Sequence, residues 1–210
     1  MVMQIKTNTV RIAEEIYQIK NYFAQDAFDL LYSDISLKVI ECKKDETISY
    51  QDIDYEYYPE YKNDNPNKTR VKVPSSSVHF IEPYKTQFLN KTKENLSLIY
   101  ETTIYEEKNV SVVVFFPGEG IRTHWDGSVD VPTYSGHPHR DYSSVFYFNE
   151  DFEGGLLHFT ELDIKIKPEP NMILLFPTTI RYSHRVEEVT SGIRMMSPGF
   201  WCSDKNDRNI

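Results

Sequence analysis

The distribution of apolar positions changes character midway along the chain. Between Tyr84 and Tyr100, Phe88, Leu89, Leu96, Leu98 and Ile99 recur at spacings that share one broad helical face, with Lys and Glu elsewhere, which predicts a scaffold helix. After Thr103 the pattern becomes a series of short apolar runs: Val110 to Phe116, Ser143 to Asn149, Leu156 to Thr160, Ile164 to Lys167, Met172 to Phe176, Tyr182 to Val186 and Ile193 to Met196. Turn residues separate them at Pro117-Gly118, Gly154-Gly155, Pro168-Glu169-Pro170 and Ser191-Gly192, a spacing suited to an all-β sandwich or jelly roll.

The N-terminal half reads differently. Glu15 to Phe23 is rich in β-branched and aromatic residues and predicts a strand, Ala24 to Leu31 a short helix, and Leu37 to Glu41 a further strand by alternation. Asp45 to Ser77 is a long polar excursion rich in tyrosine and acid, read as a solvated hairpin or as a lid over a substrate. No linker-like stretch divides the 210 residues, so we expect a single domain, with residues 1–105 as flanking helices and strands and 106–202 as the core.

Composition narrows the function. A formal net charge of -9 opposes close approach to a polyphosphate, so nucleic acid is not the expected partner. Cys42 and Cys202 form neither a CxxC nor a zinc pattern, and no run of 18 apolar residues occurs; a cytoplasmic, unanchored protein is expected.

The chemistry-bearing residues cluster in the β-rich half. In an extended segment, residues two apart point to the same side, so His124 and Asp126 can reach one metal together. His184, in the run Tyr182 to Val186, can add a second imidazole, and two His with one carboxylate leave the opposite face of the metal open, as non-haem iron(II) oxygenases require. Ten residues later stands Arg194, whose guanidinium suits bidentate capture of a carboxylate such as the far end of a 2-oxo diacid. A second His-x-Asp, His139-Arg140-Asp141, competes for the metal on pattern alone, and His79, His137 and His158 have no partner at ligand spacing.

Residues 110 to 202 resemble the 2-oxoglutarate and iron(II) dependent prolyl hydroxylases. The resemblance rests on Phe116-Pro117-Gly118 before His124-x-Asp126, then Arg140-Asp-Tyr-Ser-Ser-Val-Phe-Tyr-Phe-Asn149, Asp151-Phe-Glu-Gly-Gly155, Phe159-Thr-Glu-Leu-Asp163, and the stretch from His184 to Arg194. The Arg-Asp-Tyr-Ser and Phe-Thr-Glu-x-Asp runs look most like the prolyl 3-hydroxylase (leprecan) branch.

The resemblance implies a mainly β fold with flanking helices around a double-stranded β-helix (jelly roll), and iron on His124, Asp126 and His184, with His139 set aside. It implies 2-oxoglutarate held by Arg194 with help from Tyr147, O₂ as co-substrate, ascorbate as reductant, and hydroxylation of an amino-acid or peptidyl substrate, proline first among them, with succinate and CO₂ released. Asp126 favours hydroxylation over halogenation, because related halogenases lack that carboxylate. Arg140 is either a substrate contact or a brace for the sheet through an acid.

Three departures bear on co-substrate geometry and substrate choice: Phe116 where many relatives have Tyr, Leu156 after Gly-Gly, and Pro198-Gly199, expected to interrupt the strand after Arg194. A cupin-type metalloprotein and a non-catalytic jelly-roll binding module are the rival readings, and neither needs a buried guanidinium at 194.

Overall fold

A computed structural model describes residues 8–44, 76–79, 82–106, 111–127 and 140–203. In chain order the described strands are β1 (Thr9–Ala13), β2 (Ile16–Ile19), β3 (Ser76–His79), β4 (Ile104–Glu106), β5 (Ser111–Phe115), β6 (Ile121–His124) and β7 (Tyr142–Tyr147). They continue with β8 (Phe152–Gly154), β9 (Leu157–Phe159), β10 (Ile164–Ile166), β11 (Met172–Pro177), β12 (His184–Val186), β13 (Val189–Gly192) and β14 (Arg194–Ser203). Helix α1 (Gln25–Lys44) precedes β3, α2 (Tyr84–Tyr100) follows it, and a 3-10 turn at Ile180–Tyr182 leads into β12.

The large antiparallel sheet runs β1-β2-β11-β7-β14-β5-β3, with β4 also paired to β14. A four-stranded sheet, β10-β9-β12-β6, faces it, and β13-β8 forms a third, two-stranded ladder. Side-chain alternation on the large sheet divides the core into two. Val145, Tyr147, Leu174 and Phe176 point inward and pack with Phe159, Leu157 and Val186 of the small sheet. Phe146, Phe148, Ile173 and Leu175 point outward and are covered by Phe28, Leu31 and Ile35 of α1 and by Phe88 and Leu96 of α2. With both faces covered, every residue of β7 and β11 is buried, which is why β11 reads as continuously apolar in sequence and β7 is broken only by the hydrogen-bonded Ser143 and Ser144. The architecture is the expected jelly roll with flanking helices.

The helix at Tyr84–Tyr100 lies where its periodicity puts it, with Phe88, Thr92, Leu96 and Tyr100 as its buried stripe. The N-terminal half departs from expectation in one respect: the strand expected over Leu37 to Glu41 lies inside α1, which is 20 residues long rather than one short segment ending at Leu31. Phe28, Leu31, Ile35 and Val39 are 4%, 0%, 0% and 2% exposed, spaced three or four apart, while Leu37 is 61% exposed. The helical repeat of large side chains therefore outweighs the local alternation.

Pro198-Gly199 does not interrupt β14, which runs unbroken to Ser203. Pro198 falls between the stretch paired with β5 (194–196) and the stretch paired with β4 (201–203), so only β7 lies beside it, and the missing N–H is tolerated on the side without a strand. At Gly199 a Cβ would stand 2.5 Å from Ser144 Oγ, which accepts the Trp201 indole N–H at 3.0 Å. The Tyr-rich excursion over 45–75 lies outside the described residues.

The helical reading of residues 35–39 predicts unequal costs for two truncations of similar size. Ile35→Ala should destabilise the protein by about 2–5 kcal/mol, whereas Leu37→Ala should stay within about 0.5 kcal/mol. Urea unfolding checks this, and equal costs would contradict the helix.

Candidate metal centre

β6 and β12 are antiparallel neighbours in a register that sets His184 directly opposite His124. Asp126 follows just beyond the end of β6, and the three side chains offer ligand atoms that all lie within 4.8 Å of one another. His124 Nε2 is 3.5 Å from Asp126 Oδ1, His184 Nε2 is 3.8 Å from Asp126 Oδ2, and the two imidazole centroids are 4.5 Å apart. Phe159 and Phe176 pack against the His184 ring at 5.7 and 5.2 Å between centroids, walling it from solvent.

Each of the three side chains is fixed from behind. His124 Nδ1 donates to the carbonyl of Arg122 at 2.9 Å and His184 Nδ1 to that of Tyr182 at 3.0 Å, since a carbonyl only accepts. Both tautomers therefore present an Nε2 lone pair to the cluster. Ser143 Oγ on β7 donates to Asp126 Oδ2 at 2.6 Å. The backbone of Gly127 is pinned in the same way, its N–H donating to Thr178 O at 3.1 Å, with no room for a Cβ against Thr178.

Burial sets His184 apart from its neighbours: it pushes the imidazolium down to about 4, against the opposing charge of Asp126. At His124 burial also disfavours the charged form, but the adjacent Asp126 carboxylate outweighs it and the pKa is raised. Asp126 is held well below the usual carboxylate range; burial opposes this, and His184, His124 and Ser143 together overcome it. Two imidazoles, each with its Nδ1 proton engaged by a carbonyl, and a carboxylate make a donor set suited to a divalent cation that keeps open positions on its opposite face.

Arg194, the first residue of β14, is 0% exposed. Its Nε donates to Gly155 O at 2.9 Å, and its guanidinium lies over the rings of Phe115 (4.7 Å) and Tyr147 (5.3 Å). Nη1 and Nη2 of Arg194 and the Tyr147 hydroxyl are buried without a hydrogen-bond partner. Burial lowers the Arg194 pKa and raises that of Tyr147 to about 12, with the arginine charge opposing the latter shift. Buried donors gathered around a cation with nothing but one another to bond are costly unless an anion meets them, and a carboxylate has the charge and fork geometry to do so.

The cluster and the guanidinium share one interior stripe. On β7, Ser143 touches Asp126 and Tyr147 stands by Arg194, with Val145 between them on the same inward face. Four residues of strand span about 13 Å, and side chains reach inward from both ends of it.

Other expectations resolve as follows. His139 and His137 lie outside the described residues; Asp141 of the competing pair accepts from Ser203 N (2.8 Å) and Oγ (3.0 Å) and so ties down the end of β14. His158 packs on the other side of β9 from Phe159, donating to Asp163 at 3.2 Å. Phe116 packs against the outer, helix-covered cluster, and it is Phe115 that faces Arg194. Arg140 stacks over Phe200 at 3.7 Å.

Two contributors escaped sequence reasoning. Ser143 carries no motif of its own, although it sits in the quoted Arg-Asp-Tyr-Ser run. Gly155 (φ +61) was visible as a turn and as the end of the quoted Gly-Gly run, but not as a neighbour of Arg194; a Cβ there would stand 2.9 Å from Arg194 Cδ, so the glycine lets the guanidinium stem pass.

Residues 110–202 match the 2OG-Fe(II) oxygenase superfamily. A 60-residue stretch is 43% identical to human prolyl 3-hydroxylase 2, covering 26% of this chain and 8% of that protein, so the chain spans under a tenth of the length of the curated relatives it matches. The viral collagen prolyl hydroxylase of Paramecium bursaria Chlorella virus-1, solved as its 2OG complex, superposes with a TM-score of 0.60 at 18% identity, covering 90% of this chain and 96% of that one. A Trichoplax adhaerens prolyl hydroxylase, solved with a hypoxia inducible factor oxygen degradation domain peptide fragment, gives 0.60 at 15% identity over 92% and 86%. The match to the 2OG-Fe(II) oxygenase superfamily thus spans the segment that carries the cluster, and the chain, flanking helices included, shares the fold of these solved hydroxylases. The superfamily's Fe(II) and 2-oxoglutarate fit the His-Asp-His cluster and the unpaired arginine.

Below its raised pKa His124 must lose a proton for metal to enter, whereas the lowered pKa values of His184 and Asp126 leave those two groups ready at the same pH. Co(II) affinity should therefore be level above the raised His124 pKa and fall about tenfold per pH unit below it. Calorimetric titration across that range checks the slope; two protons released in the same range would contradict a neutral His184.

Proposed function

We propose that this protein is a hydroxylase that holds Fe(II) on His124, Asp126 and His184 and the far carboxylate of 2-oxoglutarate on Arg194 and Tyr147. The observation that carries the reading is the pairing, inside one barrel, of a His-Asp-His cluster with a fully buried guanidinium whose Nη atoms have no partner. A cupin-type site or a bare binding module has no use for that cation.

Bound together with O₂, Fe(II) and 2-oxoglutarate supply an oxidant able to break an unactivated C–H bond, with succinate and CO₂ as co-products. The chain's own work is positional. The two backbone carbonyls and Ser143 hold the ligands before metal arrives, Arg194 and Tyr147 fix one end of the co-substrate, and Phe159 and Phe176 exclude water. No protein acid or base is needed for the insertion.

The proposed substrate is a peptidyl or free amino acid, with proline foremost. The support is that the curated relatives are prolyl 3-hydroxylases and the solved neighbours a collagen prolyl hydroxylase and one seen with a peptide fragment. Phe200 pairs with Ser143 across β7 and β14 and shares its inward face, so the Arg140–Phe200 stack flanks the Asp126 side of the cluster and offers a substrate contact. We further propose that flanking and core segments act as one domain, supported by the outer core cluster they share. No described helix is long and apolar enough to cross a membrane, and a cytoplasmic setting is part of the proposal.

Purified protein with Fe(II), ascorbate and 2-oxoglutarate should release succinate in the presence of a proline-rich peptide, read by mass spectrometry alongside free proline, lysine and arginine. Asp126→Ala should abolish turnover, and Arg194→Ala should raise the 2-oxoglutarate KM by roughly 100-fold or more, the loss of a buried charge-assisted pair. Wild-type protein that neither binds 2-oxoglutarate anaerobically nor forms succinate would sink the proposal.

A further inference from the structure

The carbonyl that orients His184 belongs to a short turn, and that turn is gripped from a distant part of the chain. Tyr182 ends the 3-10 turn Ile180–Tyr182, is 2% exposed, and accepts the His184 Nδ1 proton on its carbonyl. The Tyr182 hydroxyl donates to Glu15 Oε2 at 2.8 Å across 167 residues of sequence, and the neighbouring Arg181 pairs with Glu14. Glu14 and Glu15 form the turn of the β1–β2 hairpin, where Ala13 pairs with Ile16. Glu15 is itself held: Tyr100, the last residue of α2, donates its hydroxyl to the Glu15 carbonyl at 2.7 Å.

Two features single out Glu15. Its φ is +55, a conformation that hairpin turns usually give to Asn or Gly. The hairpin by itself therefore has no use for glutamate there, whereas Tyr182 does, because the carboxylate is the acceptor for its hydroxyl. Inside the turn the amides are satisfied locally, Tyr182 N–H by Thr179 O and Ser183 N–H by Ile180 O, and on the far side Thr160 N–H donates to Ser183 O at 2.9 Å. The side-chain ties to Glu14 and Glu15 thus hold the side of the turn that Thr160 does not.

We propose that Glu15 and Tyr182 are positioning residues for the metal. The hairpin turn clamps the 3-10 turn, and the clamped Tyr182 carbonyl fixes the plane and tautomer of His184 so that Nε2 faces Asp126. The inference rests on the metal reading of the site. It gives the hairpin, which lies outside the 110–202 segment, a part in the metal centre. Because Glu15 sits at an exposed turn, the effect of losing it is smaller than that of losing the partner bonded directly to a ligand.

The test is titration of the full chain with Co(II), read by calorimetry and by the visible absorption of the bound ion, for wild type, Tyr182→Phe, Glu15→Ala and Glu15→Gln. Tyr182→Phe and Glu15→Ala should weaken Co(II) roughly 3- to 10-fold and alter its absorption. Glu15→Gln keeps an acceptor oxygen at the same backbone conformation and should return within about twofold of wild type. Melting of the metal-free proteins, run in parallel, registers a purely structural role, which would lower the midpoint and leave the cobalt spectrum unchanged. Wild-type affinity and spectrum in Tyr182→Phe and Glu15→Ala would overturn the proposal, as would Glu15→Gln behaving like Glu15→Ala. If wild type itself binds no Co(II), the metal reading is what fails.

Discussion

The pairing of β12 against β6 in the register that opposes His184 to His124 is the constraint on which the site depends. In a strand with a two-residue side-chain period, a slip of β12 by one residue would turn His184 out of the barrel and away from His124. What prevents the slip is the apolar content of the same strands. Val186 and Phe159 are buried in the inner cluster beside the ligands, so metal geometry and core packing are satisfied by one register and lost together.

The large sheet adds the second half of the site by the same alternation. β7 contributes Ser143 to the carboxylate ligand and Tyr147 to the arginine, while Phe146 and Phe148 on its other face anchor the sheet to the helices. α1 and α2 lie on the face opposite the chemistry and stiffen the strand that spans it. Pre-organisation of this kind is what the proposed hydroxylation, with no protein acid or base, would ask of the fold.

Much of this was legible in the residues. Same-side spacing on a strand pointed to His124-x-Asp126 and open-faced metal geometry to His184, and the fold brings the three together, with Arg194 buried on the same interior stripe. The strands of the β-rich half were readable from their apolar runs, since β7 and β11 are covered on both faces. The misreadings were local. Leu37 to Glu41 alternates like a strand over five residues, and only the longer repeat of Phe28, Leu31, Ile35 and Val39 shows the helix. Pro198-Gly199 looks like an interruption because sequence does not reveal that one side of β14 has no strand at that point. Ser143, Gly155 and Glu15 act through tertiary hydrogen bonds or close approach to residues tens to more than a hundred positions away, and no local pattern marks them.

The proposed chemistry requires metal and co-substrate to bind at these residues. The most direct measurement is an anaerobic crystal structure with Mn(II) in place of iron and with 2-oxoglutarate. We expect the ion on His124 Nε2, His184 Nε2 and an Asp126 oxygen, with the far carboxylate on the Arg194 Nη atoms and the Tyr147 hydroxyl. An ion bound at His139, or a co-substrate that leaves Arg194 unpaired, would contradict it.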